Sequence, residues 1–331
     1  MSTHKENFKT ALENGTFDFG HDTILFTHTD LDGVGCAVLY KVKFGFHEET
    51  YFCNYNNVNE RVNRVLDSIE DRWDDCDLPS ILITDISVDD ATAERLEMYT
   101  MKGGSVLLLD HHKTAEALNR YDWAFVDVEA SGTLLTFHYL ALPDKYRNFA
   151  IMVDDYDRWI HSNPRSKELN QLFFLFGFDR FITRFYHDPN VEYWLEGEKL
   201  ILEIDDESKR RYIDRVEKGI TVYSGKENER IGVGFADRYT SEAAHEIMER
   251  MNLRAIALKD VNSGKVSLRS RGDYDVSLLA AEHGGGGHKN AAGVEYGNKP
   301  TGHPLSKLTR TYEYLKRQTF FNIFYGGQLH E

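Results

Sequence analysis

Residues 80–112, SILITDISVDDATAERLEMYTMKGGSVLLLDHH, decide how the fold is read. SILITDIS (80–87) and SVLLLDHH (105–112) are continuous apolar runs of strand length, and DDATAERLEMYTMKGG (89–104) between them has the apolar spacing of an amphipathic helix. Upstream the alternation repeats. It runs through strand TILFTH (23–28), turn DLDG, apolar helix VGCAVLYKVKFG, a strand near ETYFCNY (49–55) and a helix near VNERVNRVLDSIED (58–71). Downstream, WAFVDVEASGTLLTFHYLAL (123–142) adds another strand-to-helix turn, and FAIMVDDYDRW (149–159) closes the region. Apolar strands alternating with helices predict a parallel sheet covered on both faces. Residues 1–20 predict a short helical lead-in.

The character changes after residue 162. An aromatic stretch, LNQLFFLFGFDRFITRFY (169–186), leads into the charged segment EYWLEGEKLILEIDDESKRRYIDRVEKG (192–219), so residues 163–226 predict a helical linker. Residues 227–300 predict a smaller α/β domain with a central mixed sheet. It contains ERIGVGFA (229–236), LRAIALKDVNSGKVSLRS (253–270) with a hairpin at NSG, and a glycine-rich loop. Residues 301–331 form a C-terminal extension without readable chemistry.

The chain of 331 residues carries 39 Lys+Arg against 54 Asp+Glu, a net charge of −15. That surplus offers little of the counterion-release affinity that long nucleic acids demand, so a duplex-coating protein is excluded and a short anionic substrate is allowed. No apolar run approaches the ~20 residues of a membrane span, and the start MSTHKENFKT lacks the apolar core of a signal peptide. Cys36, Cys53 and Cys76 fit neither a disulfide framework nor a zinc module. A cytoplasmic, two-domain enzyme is expected, with no membrane partner; a homodimer is allowed.

The acids and histidines fall at informative places. Asp30 and Asp32 follow the first strand, Asp85 the third, Asp110-His111-His112 the fourth, and Asp154-Asp155 end the region. Ligands of open parallel sheets bind outside the carboxyl ends of the strands, so these groups converge on one edge. Singly, each has a bland explanation: Asp-x-Asp as turn chemistry, Asp85 as a helix cap. Together they read as a site for Mn²⁺, Mg²⁺ or Fe²⁺, since mixed Asp/His ligation does not favour a thiolate-seeking metal. In the second domain, GGGGHKNAAG (284–293) removes side chains where backbone must approach a ligand closely, and a helix starting at Lys289-Asn290 would add its dipole. Arg269 and Arg271 alternate along a predicted strand toward one face and suit phosphate.

These residues resemble a known family. DLDGVG, ITDIS, LLLDHHK and DDYDRW are similar to the four motifs of the DHH phosphoesterase superfamily, and VSLRSRGDYDVSLLAAEHGGGGHKNAAG to the signature of its DHH-associated C-terminal domain. The compact arrangement most resembles the oligoribonuclease branch. The resemblance implies a Rossmann-like catalytic domain over residues 1–162, a substrate-binding domain over 227–300, and two divalent ions, chiefly Mn²⁺. It further implies that Asp30 and Asp32 bind different metals, that Asp85 bridges them, and that His112 and the motif-four aspartate complete the second site. Asp155 is the expected motif-four ligand, with Asp154 and Asp157 as alternatives. Asp110 would orient the histidine pair, and His111 would stand near the scissile phosphate. Many relatives carry a histidine where this chain has Phe26; His28 is the expected substitute. Arg269, Arg271, Gly285, Gly286, Gly287 and His288 would bind substrate.

The expected activity is a metal-dependent phosphodiesterase that shortens very short RNA or DNA 3′ to 5′, releasing nucleoside 5′-monophosphates. Cyclic mono- or dinucleotide hydrolysis and 3′-phosphoadenosine 5′-phosphate dephosphorylation are the enzyme alternatives. A regulatory nucleotide-binding protein with an inactive site is the alternative of another class.

Overall fold

The computed structural model describes residues 22–46, 49–70, 78–225, 228–283 and 285–295, with Lys316 and Thr319. The lead-in expected over residues 1–20 and nearly all of the 301–331 extension lie outside the described residues. The chain divides into two compact units, residues 1–202 and 203–331.

The first unit is built on five parallel strands: β1 (Thr23–Thr27), β2 (Thr50–Phe52), β3 (Ser80–Thr84), β4 (Val106–Asp110) and β5 (Ala124–Val126). Their order is β2-β1-β3-β4-β5. Between and after them run α1 (Leu31–Phe44), α2 (Val58–Ile69), α3 (Asp90–Met101), a 3₁₀ stretch (Lys113–Arg120), α4 (Gly132–Tyr139), α5 (Arg147–Asp157) and α6 (Pro164–His187). The last is broken at Gly177, whose φ is 68°.

Every residue of β3 and β4 is buried, which explains their unbroken apolar sequence. Successive side chains alternate between two cores. Leu25, Leu82, Leu107, Leu109 and Phe125 pack with α1, α4, α5 and α6, while Phe26, Ile81, Ile83, Val106 and Leu108 pack with α2 and α3. In this doubly wound order the winding reverses between β1 and β3, so the loops after these strands part and leave a crevice. The predicted parallel sheet is therefore present, and its switch point is fixed.

The stretch expected as one linker, 163–226, is divided instead. Leu169, Leu172, Phe173, Phe181, Ile182 and Phe185 of α6 are buried in the core of the first unit. Apolar burial of that extent outweighs the charge pattern that suggested a linker. The following helix, α7 (Glu196–Lys218), crosses the boundary at residue 202.

The second unit holds β6 (Thr221–Ser224), β7 (Arg230–Phe235), α8 (Thr240–Arg250), β8 (Ala255–Lys259), β9 (Lys265–Ser270), α9 (Val276–Glu282), β10 (Gly286–His288) and β11 (Ala291–Glu295). Its sheet, β10-β11-β9-β8-β7-β6, is mixed: β7 and β8 are parallel and the remaining pairs antiparallel. One face is covered by α9, the other by α8 and the end of α7. The hairpin predicted at NSG joins β8 to β9.

No helix begins at Lys289-Asn290. These residues are the two-residue turn of a β10–β11 hairpin in which His288 pairs with Ala291. The Asn290 side chain donates to Ser270 Oγ at 3.0 Å and anchors the turn. Glycine is needed here for close strand approach: a Cβ at Gly287, where φ is 142°, would lie 2.5 Å from the Ala291 carbonyl oxygen. Among the described residues, no helix is long and apolar enough to cross a membrane.

Candidate active site

The carboxyl ends of β1, β3 and β4 deliver a set of acids and imidazoles to one edge of the first sheet. After β1, Asp30 caps α1 by accepting the Gly33 N–H at 3.0 Å, and His28 Nδ1 lies 2.7 Å from Asp30 Oδ2 and 3.8 Å from Asp85 Oδ2. Phe26, by contrast, is fully buried against the α2–α3 core and points away from the edge. Asp85 follows β3 with φ 56°, a left-handed backbone that aspartate tolerates better than most residues. After β4, the buried Asp110 carboxylate receives the His111 N–H at 2.7 Å and His112 Nδ1 at 2.8 Å. His111 Nε2 then stands 3.2 Å from Asp85, 3.3 Å from Asp157 and 3.7 Å from Asp32.

Asp32 is on α1 itself, fully buried, and held from across the sheet. The N–H groups of Gly132 and Thr133, the first residues of α4, donate to its two carboxylate oxygens at 2.6 and 2.8 Å. Ser131 N–H goes to Asp154 at 2.7 Å, so the whole N-terminus of α4 is occupied by carboxylates, where its dipole favours them. Only glycine fits at 132, because a Cβ there would sit 2.7 Å from that of Asp85.

The three aspartates of DDYD separate by helical geometry. Asp154 and Asp157, three residues apart, share a side of α5, while Asp155 points elsewhere. Asp155 accepts Ser162 N–H at 2.8 Å, Ser162 Oγ at 2.5 Å and Asn163 N–H at 3.3 Å, which ties the turn into α6. The carboxylate that reaches the cluster is Asp157, and the expectation of Asp155 is corrected accordingly.

The electrostatics report too much negative charge in too little water. Burial, then the charges of Asp32 and Asp30, raise the Asp85 carboxyl well above its ordinary range. The same causes push Asp157 up to about 8. Burial also works against the charged forms of Asp30 and His112, but it is outweighed there. The His28 contact and the Gly33 N–H bring Asp30 down, and the Asp110 hydrogen bond and charge bring His112 up. Asp85 Oδ2 and Asp110 Oδ2 are buried without a hydrogen-bond partner. Buried acceptors of this kind are costly unless something fills them, and a cation would satisfy both oxygens and charge.

Three groups have donor atoms within 4.8 Å of one another: His28/Asp30/Asp85, Asp85/Asp110/His111/His112 and Asp32/His111/Asp157. Asp85 and His111 are each shared by two groups. The donor set of oxygen and imidazole nitrogen suits hard or borderline divalent ions. Tyr55, Gly132 and Thr133 are functional candidates that the motif reading missed. The SGT triplet at 131–133 was the available signal, but nothing in it announces a partner a hundred residues upstream.

In the second unit, Arg269, Gly285, Gly286 and Gly287 line a concavity of about 550 Å³ together with Lys265, Ser267 and β11. Arg269 is part-buried and donates to Ser241 Oγ at 2.7 Å. Arg271 lies one residue beyond β9 and outside this lining, and His288 is exposed on β10.

Comparison with known proteins bears directly on this arrangement. The chain is 34% identical over 291 residues to oligoribonuclease NrnB of Bacillus subtilis strain 168, spanning 81% of this chain and 71% of that protein. The chain belongs to the DHH phosphoesterase superfamily. Residues 229–302 match the DHHA1 domain, which includes the hairpin and its concavity. Two solved DHH phosphoesterase-like folds agree in architecture. A pGpG-specific phosphodiesterase from Vibrio cholerae superposes with a TM-score of 0.51 at 15% identity, covering 90% of this chain and 98% of that one. RecJ in complex with Mn²⁺ from Thermus thermophilus gives 0.51 at 14%, covering 93% of this chain and 53% of that one. As a DHH phosphoesterase the chain is a hydrolase of the nuclease and phosphodiesterase class.

Proposed function

We propose that the protein is a divalent-metal-dependent 3′–5′ exonuclease of very short oligonucleotides, which it converts to nucleoside 5′-monophosphates. The observation that carries this reading is the shared cluster His28, Asp30, Asp32, Asp85, His111 and Asp157 around the orphaned Asp85 oxygen. His28, Asp30 and Asp85 would hold one ion and Asp32 and Asp157 the other, with Asp85 and His111 common to both groups and His112 completing the set. Two such ions, Mn²⁺ by preference, supply a clamp for the phosphate and a lowered pKa for the attacking water. The chain's own residues do the rest. Asp110 fixes the tautomer and direction of His112, and the α4 N-terminus fixes Asp32, so the ligands do not have to reorganise on binding.

Identity to an oligoribonuclease over most of the chain supports short oligoribonucleotides as the substrate class. The net charge of −15 agrees with a substrate of few phosphates. Arg269 and the backbone of Gly285–Gly287 supply a planar donor fork and unobstructed N–H groups suited to a nucleotide's phosphate and sugar. Arg271 and His288 belong to the same proposed binding surface.

The test is turnover by chelator-treated, metal-reconstituted protein on labelled two- to seven-nucleotide RNAs and DNAs, cyclic nucleotides and 3′-phosphoadenosine 5′-phosphate. The expected result is Mn²⁺-dependent release of 5′-monophosphates from the short RNAs, abolished by chelator and poorly restored by Ca²⁺, which prefers more and longer oxygen contacts. Full turnover in chelator, or exclusive use of the cyclic or bisphosphorylated substrates, would refute the assignment.

A further inference from the structure

Tyr55 sits on the turn that follows β2, outside every sequence motif, with its ring half-exposed. Its hydroxyl lies 2.8 Å from His112 Nε2, and its ring is stacked at a tilt beside His28, 5.3 Å between centroids. The backbone that carries it is tied down. Asn54 N–H donates to Asn57 Oδ1 at 2.8 Å, and Thr29 Oγ1 donates to Asn54 Oδ1 at 2.9 Å, joining this turn to the loop after β1.

The chemistry of His112 makes this contact informative. Asp110 Oδ1 is a buried carboxylate oxygen that can only accept, so the ring's Nδ1 carries the proton that faces it. The lone pair left for a metal is on Nε2. That lone pair is engaged by the Tyr55 hydroxyl, which donates to it. A metal ligand and a tyrosine proton therefore compete for one atom.

We propose that Tyr55 is a phosphate-contacting residue whose hydroxyl exchanges partners: it gives up His112 Nε2 when that nitrogen takes a divalent cation, and then donates to a non-bridging oxygen of the substrate phosphate. The inference rests on the proposed reading that His112 is a metal ligand and that the substrate is a phosphodiester. The exchange keeps the hydroxyl satisfied in both states, so closing the site costs no orphaned donor. It also gives Tyr55 two effects of opposite sign. Against the metal it is a competitor; toward the substrate it is a donor.

The Tyr55→Phe variant separates these effects. It keeps the ring against His28 and removes only the oxygen, at a half-exposed position where folding is not at stake. The first measurement is calorimetric titration of chelator-treated protein with Mn²⁺ alone. The second is steady-state hydrolysis of a 5′-phosphorylated diadenylate. Loss of a competing neutral hydrogen bond should tighten Mn²⁺ binding by about two- to tenfold, and loss of a donor to a charged oxygen should lower kcat/KM by about ten- to a hundredfold. Both signs are required. Unchanged or weaker Mn²⁺ binding overturns the proposal, as does an unchanged kcat/KM. Weaker metal and weaker turnover together would mean that Tyr55 merely supports His112. If the wild-type protein binds no Mn²⁺ or leaves the dinucleotide intact, the proposed function fails. A wild-type enzyme that does both, beside a variant without the two opposed shifts, overturns the Tyr55 inference alone.

Discussion

Replacing Asp157 by Asn should stabilise the metal-free protein while disabling it. In the folded chain the Asp157 carboxyl is pushed up to about 8 by burial and by the charges of Asp32 and Asp30. In an unfolded chain it titrates near ~3.9. The folded form thus holds its proton more tightly, so wild-type stability falls as pH rises from about 4 to about 8 and levels off above. At pH 7 a single carboxyl with this pair of values costs the fold about 4 kcal/mol; discounted for its one-fifth exposure, about 2 kcal/mol is expected. For a unit of this size that corresponds to a gain in Tm of about 4–8 °C for Asp157→Asn. The gain should grow from near nothing at pH 4 to its full value above pH 8. Asp155→Asn should behave in the opposite way. It removes the charge from a carboxylate that Ser162 and Asn163 hold below its ordinary range despite burial, so it should cost about 1–3 kcal/mol and leave metal binding intact. The assay is thermal unfolding of chelated protein from pH 4 to 9, paired with Mn²⁺ titration at pH 8. A Tm gain without pH dependence, or metal loss in the Asp155 variant and not in the Asp157 variant, would refute both the electrostatics and the assignment of the two residues.

Two further outcomes follow from the geometry. Gly132→Ala puts a methyl 2.7 Å from the Asp85 Cβ and 3.0 Å from Asp32 Oδ2, so both ligands must shift; kcat should fall about a hundredfold or more, read by single-turnover hydrolysis at saturating Mn²⁺. With a net charge of −15, affinity should not grow with phosphate number, so two- to five-nucleotide RNAs should be cut faster than a 24-mer at low salt; equal or faster degradation of the 24-mer would contradict the short-substrate reading.

Much of this architecture was legible because burial on both faces leaves a plain mark. SILIT and VLLLD cannot be surface strands, and a parallel sheet puts whatever follows them on one edge. Asp30, Asp85 and the Asp110–His112 triplet were therefore found from position alone. Asp157 was not, because three aspartates within one turn of helix differ only in what α6 later packs against. The role of α6 was hidden by the charged segment after it, which diluted an aromatic pattern that in fact belongs to the core. The glycine run was misjudged for another reason. Glycine marks close approach equally well for a phosphate at a helix start and for a neighbouring strand, and here Asn290 decides for the strand by anchoring a two-residue turn. Gly132 and Tyr55 act through partners distant in sequence, and no local pattern records such a pairing.

The grip of Gly132 and Thr133 on Asp32 closes a loop of a hundred residues. Contacts of such sequence separation are entropically late in folding, since the intervening chain must be ordered before they reward it. Asp157 comes later still along the chain. A nascent polypeptide that has emerged only as far as β4 already displays Asp30, Asp85 and the histidine pair, yet has neither the fixed Asp32 nor the carboxylate opposite it. Synthesis order thus acts as a safety interlock: the half-made protein can lay out most of its catalytic set, but it acquires a complete one only when the first unit is finished.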